Sequence, residues 1–204
     1  MRRAILTTLA LMLAVFAWCQ VDMSEMSKMQ SSPCMVMLRR DIRKELKLSR
    51  SQDTDVDRIE KTLSGAMQPS KSKDPDSLMA PYQAMKDANS QILATLDDVQ
   101  KKRLSEIRLQ ILGCPAMVDP EFAPQVGLSE DQINAIKPIE SAYIDDATQY
   151  VMKHHDKHTP DEIDKMAAAR DVKILAILTQ DQRDKFKQLL GTPFKNARPR
   201  GSIF

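Results

Sequence analysis

The chain has 204 residues, a formal net charge of +2, 28% charged residues and only 4% aromatic residues. This balance gives no global attraction to nucleic acid or anionic lipid, so we expect neither as a partner. Five glycines leave few turns with positive φ, which disfavours a hairpin-rich β protein and favours helices packed through Leu, Ile, Ala and Met.

The N-terminus has the pattern of an export signal. Residues 1–20 combine the basic start Arg2-Arg3 with an apolar run, up to residue 17, that is too short to span a bilayer comfortably. We therefore expect cleavage near residue 20 and a periplasmic or secreted protein without stable membrane insertion. The mature chain is then formally neutral, because both arginines are lost. Cys19 leaves lipid attachment as an alternative.

Three kinds of segment follow the signal. Residues 21–34 are polar and rich in Ser and Met, which predicts a flexible leader. From residue 35, apolar side chains recur at helical intervals, and Leu38, Ile42 and Leu46 begin this pattern. Residues 195–204 form a locally basic tail.

The helical part repeats itself at an offset of 80 residues. Seven residues recur in this way: Cys34, Met37, Leu48, Ser49, Gln52, Ile59 and Glu60 return as Cys114, Met117, Leu128, Ser129, Gln132, Ile139 and Glu140. Further along, residues 91–100 match residues 173–182 at an offset of 82. The pattern indicates a duplication, with helical units at 35–115 and 116–194. We expect an all-α fold of duplicated helical hairpins forming one elongated or curved domain.

Each unit contains two copies of one helix-start motif: Leu, then Ser, Thr or Asp, two variable residues and Gln. The four copies comprise Leu48, Ser49 and Gln52; Leu96, Asp97 and Gln100; Leu128, Ser129 and Gln132; and Leu178, Thr179 and Gln182. This is a capping box, in which the hydroxyl or carboxylate accepts a backbone N–H at the third helical position and Gln reaches back to the cap. Gly113 and Gly191, each followed by a proline two residues later, predict where two of these helices end.

These four boxes, behind an export signal in a Met-rich helical chain, resemble the Spy/CpxP-like periplasmic proteins with LTxxQ motifs. Residues 178–182 match the motif strictly, and the resemblance covers roughly residues 35–194. It implies an ATP-independent chaperone or envelope-stress protein that holds unfolded or envelope proteins on a concave surface. Family members pair two-box chains into dimers. Four boxes in one chain therefore imply a monomeric pseudo-dimer or a loose dimer.

A metal-binding stress protein is an alternative. His154 and His158 are four residues apart, a spacing that suits zinc on one helix face, and His155 lies between them. Lysines beside these histidines favour a solvated link instead. The leader methionines, spaced by three, would suit Cu(I). We expect no cofactor, and a purely structural envelope-interaction module is a further alternative.

The cysteines leave two readings open, and catalysis is not expected. Cys34 and Cys114 are repeat equivalents in an oxidising compartment, so they are either two small buried side chains or a disulfide that links the units. All three histidines lie within five residues, so the sequence suggests no Ser-His-Asp or Cys-His arrangement. It also has no Gly-rich phosphate loop. We therefore expect a binding protein rather than an enzyme.

Overall fold

Helices provide all regular secondary structure in the part of the chain that the computed structural model describes, which is residues 31–68, 75–154 and 160–197. The α-helices are α1 Pro33–Met37, α2 Arg40–Glu45, α3 Arg50–Ala66, α4 Pro75–Thr95, α5 Asp98–Leu112, α6 Ala123–Val126, α7 Glu130–Lys153, α8 Pro160–Ile177 and α9 Gln180–Leu189, and a 3₁₀ helix spans Cys114–Val118. The prediction of an all-α fold is confirmed. Within these ranges, no helix has the length and hydropathy needed to cross a membrane.

Two antiparallel pairs of long helices dominate the arrangement. The start of α3 meets the end of α4, where the Gln52 side chain donates to the backbone carbonyl of Thr95 at 2.9 Å. The start of α7 meets the end of α8 in the same way, through Gln132 and the carbonyl of Ile177 at 3.1 Å. Two short helices precede each pair and one helix follows it. This order agrees with the sequence repeat, while a common origin for the two halves stays a prediction.

The core consists of two apolar clusters that share α5. The first cluster lies among α1 to α5, and the second among the 3₁₀ helix and α6 to α9. Leu104 and Ile107 of α5 belong to the first cluster, whereas Leu109 on the same helix belongs to the second. Helix α5 therefore packs into the core of both halves.

The backbone takes a left-handed turn at the same point of each half, at the residue directly before the first box. Gly127 adopts a φ of 81° there, and its repeat equivalent Lys47 adopts 52°. Glycine adopts this conformation without steric cost, whereas in lysine the Cβ atom comes unfavourably close to the following carbonyl oxygen. The carbonyls of Leu46 and Gly127 are thereby presented to glutamines of the boxes described below.

The start of the first unit differs from the sequence prediction. One helical stripe through Leu38, Ile42 and Leu46 was expected, but the backbone of Arg39 is extended and separates α1 from α2. Leu38 is consequently 37% exposed, while Ile42 and Leu46 are buried. The stripe fails because α1 instead buries Cys34, Val36 and Met37.

The predicted leader and tail both contain ordered residues. Ser31, Ser32 and Cys34 are buried, although a flexible leader was expected to extend to residue 34. Phe194 and Ala197 pack against the first core cluster, so the chain after α9 returns to the first half. The signal at residues 1–20, the leader methionines and the links at 69–74 and 155–159 lie outside the described residues.

The disulfide reading of the two cysteines is wrong. Cys34 and Cys114 are both free, and each is 2% exposed. Cys34 lies in the first core cluster and Cys114 in the second, so each thiol packs within its own half. Burial raises the pKa of both thiols, which keeps them protonated.

We expect native protein to resist thiol-directed alkylation at Cys34 and Cys114, because burial blocks access and suppresses the reactive thiolate. Mass spectrometry of peptides after timed iodoacetamide treatment measures this, with the same protein in denaturant as the control that labels fully. A peptide joining the two cysteines in nonreducing digests would contradict the structure.

Candidate functional site

All four motif copies form complete capping boxes. Ser49, Asp97, Ser129 and Thr179 each accept the backbone N–H of the glutamine three residues later, and that glutamine accepts the cap's own N–H. The donor–acceptor distances lie between 2.8 and 3.3 Å. Because helix starts leave such donors without intrahelical partners, each cap stabilises its helix by about 1 kcal/mol.

The glutamines also join the boxes in pairs. In the first glutamine pair, Gln52 donates to the side-chain oxygen of Gln100 at 2.7 Å, and Gln100 donates back at 3.1 Å. The remaining amide hydrogens are donated to the carbonyls of Thr95 and Leu46. These bonds tie the starts of α3 and α5 to the end of α4 and the turn after α2.

A second glutamine pair has the same construction. Gln132 donates to Gln182 at 2.8 Å, and Gln182 donates back at 2.9 Å. Their other hydrogens are donated to the carbonyls of Ile177 and Gly127. The structure therefore brings the twelve predicted motif residues together as two separate pairs of boxes, one in each half.

Only an amide side chain can make all the hydrogen bonds that the glutamines of the four boxes make. Glutamate also serves at the third position of a capping box, since a carboxylate accepts the cap's N–H equally well. A carboxylate cannot donate, however, and each glutamine here donates twice as well as accepting twice. The presence of Gln in all four boxes, with no Glu, is the sequence signal that these side chains also donate hydrogen bonds between boxes.

The second half buries a cluster of charged groups between α7 and α8. The Arg170 guanidinium donates to the carboxylate of Asp171 at 2.6 and 2.8 Å and lies 3.4 Å from a Glu140 oxygen. It also stacks 4.4 Å from the ring centre of Tyr143. All three charged residues are less than 10% exposed, and that Glu140 oxygen has no hydrogen-bond partner. Two buried carboxylates therefore share one arginine.

This cluster has no exact counterpart among the described residues of the first half. Glu60, the equivalent of Glu140, pairs with Arg43 of α2 at 2.7 Å and is half-exposed. Arg43 in turn also contacts Asp53 and Asp57. The same glutamate position thus has an arginine partner in both halves, supplied by different helices.

The environment of the cluster changes its protonation. Burial raises the pKa of Glu140 to about 7, against the opposing effect of Arg170 and with a smaller increase from Asp171. Burial also raises the pKa of Asp171, again opposed by Arg170. Removing water disfavours the charged form of a carboxylic acid, and one arginine compensates only part of this cost. Glu140 therefore changes charge near neutral pH.

Two open clefts adjoin these features. One, of about 650 Å³, lies beside the end of α4 and along α5, where Lys101, Lys102 and Arg108 line it with Leu93. The other, of about 330 Å³, lies between α7 and α8 and is lined in part by Arg170. The first cleft is basic and partly apolar, whereas the second borders the buried Arg170.

Apolar side chains are exposed along both helix pairs, and the largest of them, two methionines and a tyrosine, lie at one end of the pairs. Met79 and Tyr82, near the start of α4, are 58% and 56% exposed, and Met152, near the end of α7, is 74% exposed. These ends lie opposite the glutamine pairs, because α4 ends and α7 begins at a glutamine pair. The two helix pairs therefore present apolar side chains at equivalent free ends.

The predicted metal ligands are only partly visible. His154 caps the end of α7 and packs on the Tyr150 ring with ring centres 4.8 Å apart, while His155 and His158 lie outside the described residues. Within the ranges that the structure describes, no three His, Cys, Asp or Glu side chains are placed to hold a metal ion. The zinc hypothesis therefore depends on residues that the structure does not describe.

Changing Gln182 to Glu should lower the free energy of unfolding by about 1–3 kcal/mol, because the cap is kept while two donors to Gln132 and Gly127 are lost. Chemical denaturation followed by circular dichroism measures the change. Gln149→Glu, an exposed substitution near the end of α7, is the matched control and should stay within about 0.5 kcal/mol. Equal stability of both variants would mean that the glutamine pair contributes nothing beyond its caps.

Stability should fall as pH rises from 5 to 8. The pKa of Glu140 is raised in the folded state from its ordinary 4.5 to about 7. The stability that this group contributes is therefore fully present below pH 4.5 and is lost as the pH rises through 7. The loss should be on the order of 3 kcal/mol, and Glu140→Gln should reduce it. Denaturation at several pH values tests this, with Glu60→Gln as the control. A wild-type slope retained in Glu140→Gln would contradict the assignment.

Comparisons with models of known protein families, with characterised proteins and with solved structures found no match to this chain.

Proposed function

We propose that this chain is an exported binding protein that holds unfolded or envelope proteins without ATP, as its resemblance to the Spy/CpxP-like proteins implies. The observation that carries the proposal is the exposure of large apolar side chains at the free ends of both helix pairs. Met79, Tyr82 and Met152 lie there in contact with water. A protein that must bind apolar segments of many partners needs such a surface.

Methionine suits this task. Its unbranched, polarisable side chain adapts to partners of different shape, and promiscuous binding surfaces use it often. Val151 beside Met152 extends the apolar area at the end of α7. The helices that present these residues are held at their other ends by the glutamine pairs.

The proposed working form is a monomer or a loose dimer. Both glutamine pairs form within one chain, so completing the four boxes requires no second subunit. The boxes that family members assemble from two chains are therefore already present together here. Sedimentation equilibrium of the exported protein would test this stoichiometry, and a tight dimer would contradict it.

Substituting the free ends should weaken the activity. A variant with Met79, Tyr82 and Met152 changed to Ser should need several-fold more protein to suppress aggregation of an unfolding client by half. The loss follows from the removal of apolar area that the client would bury. Light scattering of a heated client without nucleotide measures this, and added salt should change the result little because the mature chain is formally neutral.

The matched control is Val99→Ser, because Val99 is 79% exposed but lies at the start of α5, beside the first glutamine pair. The end of α4 at that pair is roughly 24 Å from Met79 by the helical rise. This variant should protect clients as well as the wild type. Adding zinc, copper or a chelator tests the metal alternative in the same assay. Failure of the wild type to protect several unrelated clients would contradict the proposed function.

A further inference from the structure

The C-terminal segment of the second half lies in a groove of the first half. Residues 191–197, here called the tail segment, leave α9 and cross to α5 and α2. The groove is formed by Arg103 and Gln110 of α5 together with Arg39 at the start of α2. The structure describes both this tail groove and the tail segment that fills it.

On α5, the groove contacts the backbone of its occupant. Gln110 donates to the carbonyl of Thr192 at 2.9 Å and accepts the N–H of Phe194 at 2.7 Å. Arg103 donates to the Thr192 carbonyl at 2.6 Å, and Gln110 also reaches the carbonyl of Leu190. Backbone amides are common to every polypeptide, so these bonds do not select a sequence.

One aromatic side chain anchors the segment. Phe194 is 7% exposed and belongs to the first core cluster, with the Arg39 guanidinium 5.7 Å from its ring centre. Arg39 also donates to the carbonyl of Asn196 at 2.9 Å. The Asn196 side chain donates to Asp41 at 3.0 Å, a side-chain polar contact between the segment and the groove.

We propose that the tail groove is a peptide-binding site for an unfolded segment of another protein that carries an aromatic side chain, and that the chain's own tail segment fills the site in the free protein. The proposal rests on the proposed function and names the place where a client segment is held. Backbone-directed bonds plus one apolar anchor are the recognition that a protein needs when its clients share no sequence.

The covalent link makes the tail segment a competitor. A tethered ligand meets its site at an effective concentration in the millimolar range, so a single client segment displaces it only when other contacts hold the client nearby. The exposed apolar ends of the helix pairs can supply those contacts. The groove then opens in proportion to the amount of client bound.

Gly191 is the position from which the segment can be loosened without removing its anchor. It adopts a φ of 61°, and a Cβ there would overlap the Glu106 side chain. Glu106 is paired with Arg103 at 2.9 Å, and Arg103 holds the Thr192 carbonyl. Gly191→Ala therefore disturbs the start of the segment, whereas Phe194→Ala removes its anchor.

The first test uses the full chain and a fluorescent peptide with the sequence of residues 190–197. Anisotropy should show the peptide binding Phe194→Ala and Gly191→Ala at least about tenfold more tightly than the wild type, because the competing tether is weakened. The same peptide with Ala in place of its Phe should bind neither variant. Phe186→Ala, which removes a phenylalanine from the second core cluster, is the matched control. Equal peptide binding by wild type and both tail variants would overturn the proposal.

The second test adds a carboxymethylated, permanently unfolded protein to the peptide complex of Gly191→Ala. Displacement of the peptide supports a client site in the groove. Retention of the peptide while the same variant still suppresses aggregation would overturn the groove as a client site and leave the proposed function standing. Tight peptide binding without any aggregation suppression would instead overturn the proposed function.

Discussion

The architecture depends on the paired amides of the capping-box glutamines. Each amide accepts its own cap's N–H, accepts from its partner glutamine, and donates to that partner and to a backbone carbonyl. One side chain thereby starts a helix and fixes where that helix meets the end of another. Because the bonding capacity of the amide is fully used, its replacement by any other residue leaves partners unsatisfied.

The two halves share the paired boxes but differ in the polar groups that they bury. In the first half, the neutral side chain of Asn89 accepts the backbone N–H of Cys34 at 2.9 Å. The residue at the equivalent place in the second half is Asp171, which brings a buried charge and Arg170 as its partner. A buried ion pair gives less net stability than its geometry suggests, because both ions lose hydration. The second half therefore has the pH dependence that the first half lacks at this position.

Local signals in the sequence predicted the ends of helices well. The four boxes start α3, α5, α7 and α9, and Gly113 ends α5 with a φ of 66°, because caps and left-handed stops depend on neighbouring residues. Helical periodicity also depends on residues close together in the chain, so periodicity and composition predicted the all-α class.

Features that depend on distant residues were not predicted. The break at Arg39 arises because α1 buries its own apolar residues, and periodicity alone cannot show which of two packings is preferred. The two cysteines match in the repeat but lie in different apolar clusters, a fact that only the fold reveals. The role of Phe194 in the first core was hidden because the sequence places it at the end of the second unit.

The sharing of α5 between the two cores bears on how the chain folds. A fragment ending after the first unit would remove Phe194 from the first cluster and would leave Leu109 without the residues that bury it. A fragment of the second unit would lack α5 altogether. The repeat in the sequence therefore does not correspond to two separable folding units. The halves are expected to gain and lose their structure in one cooperative transition, with α5 as the element that couples them.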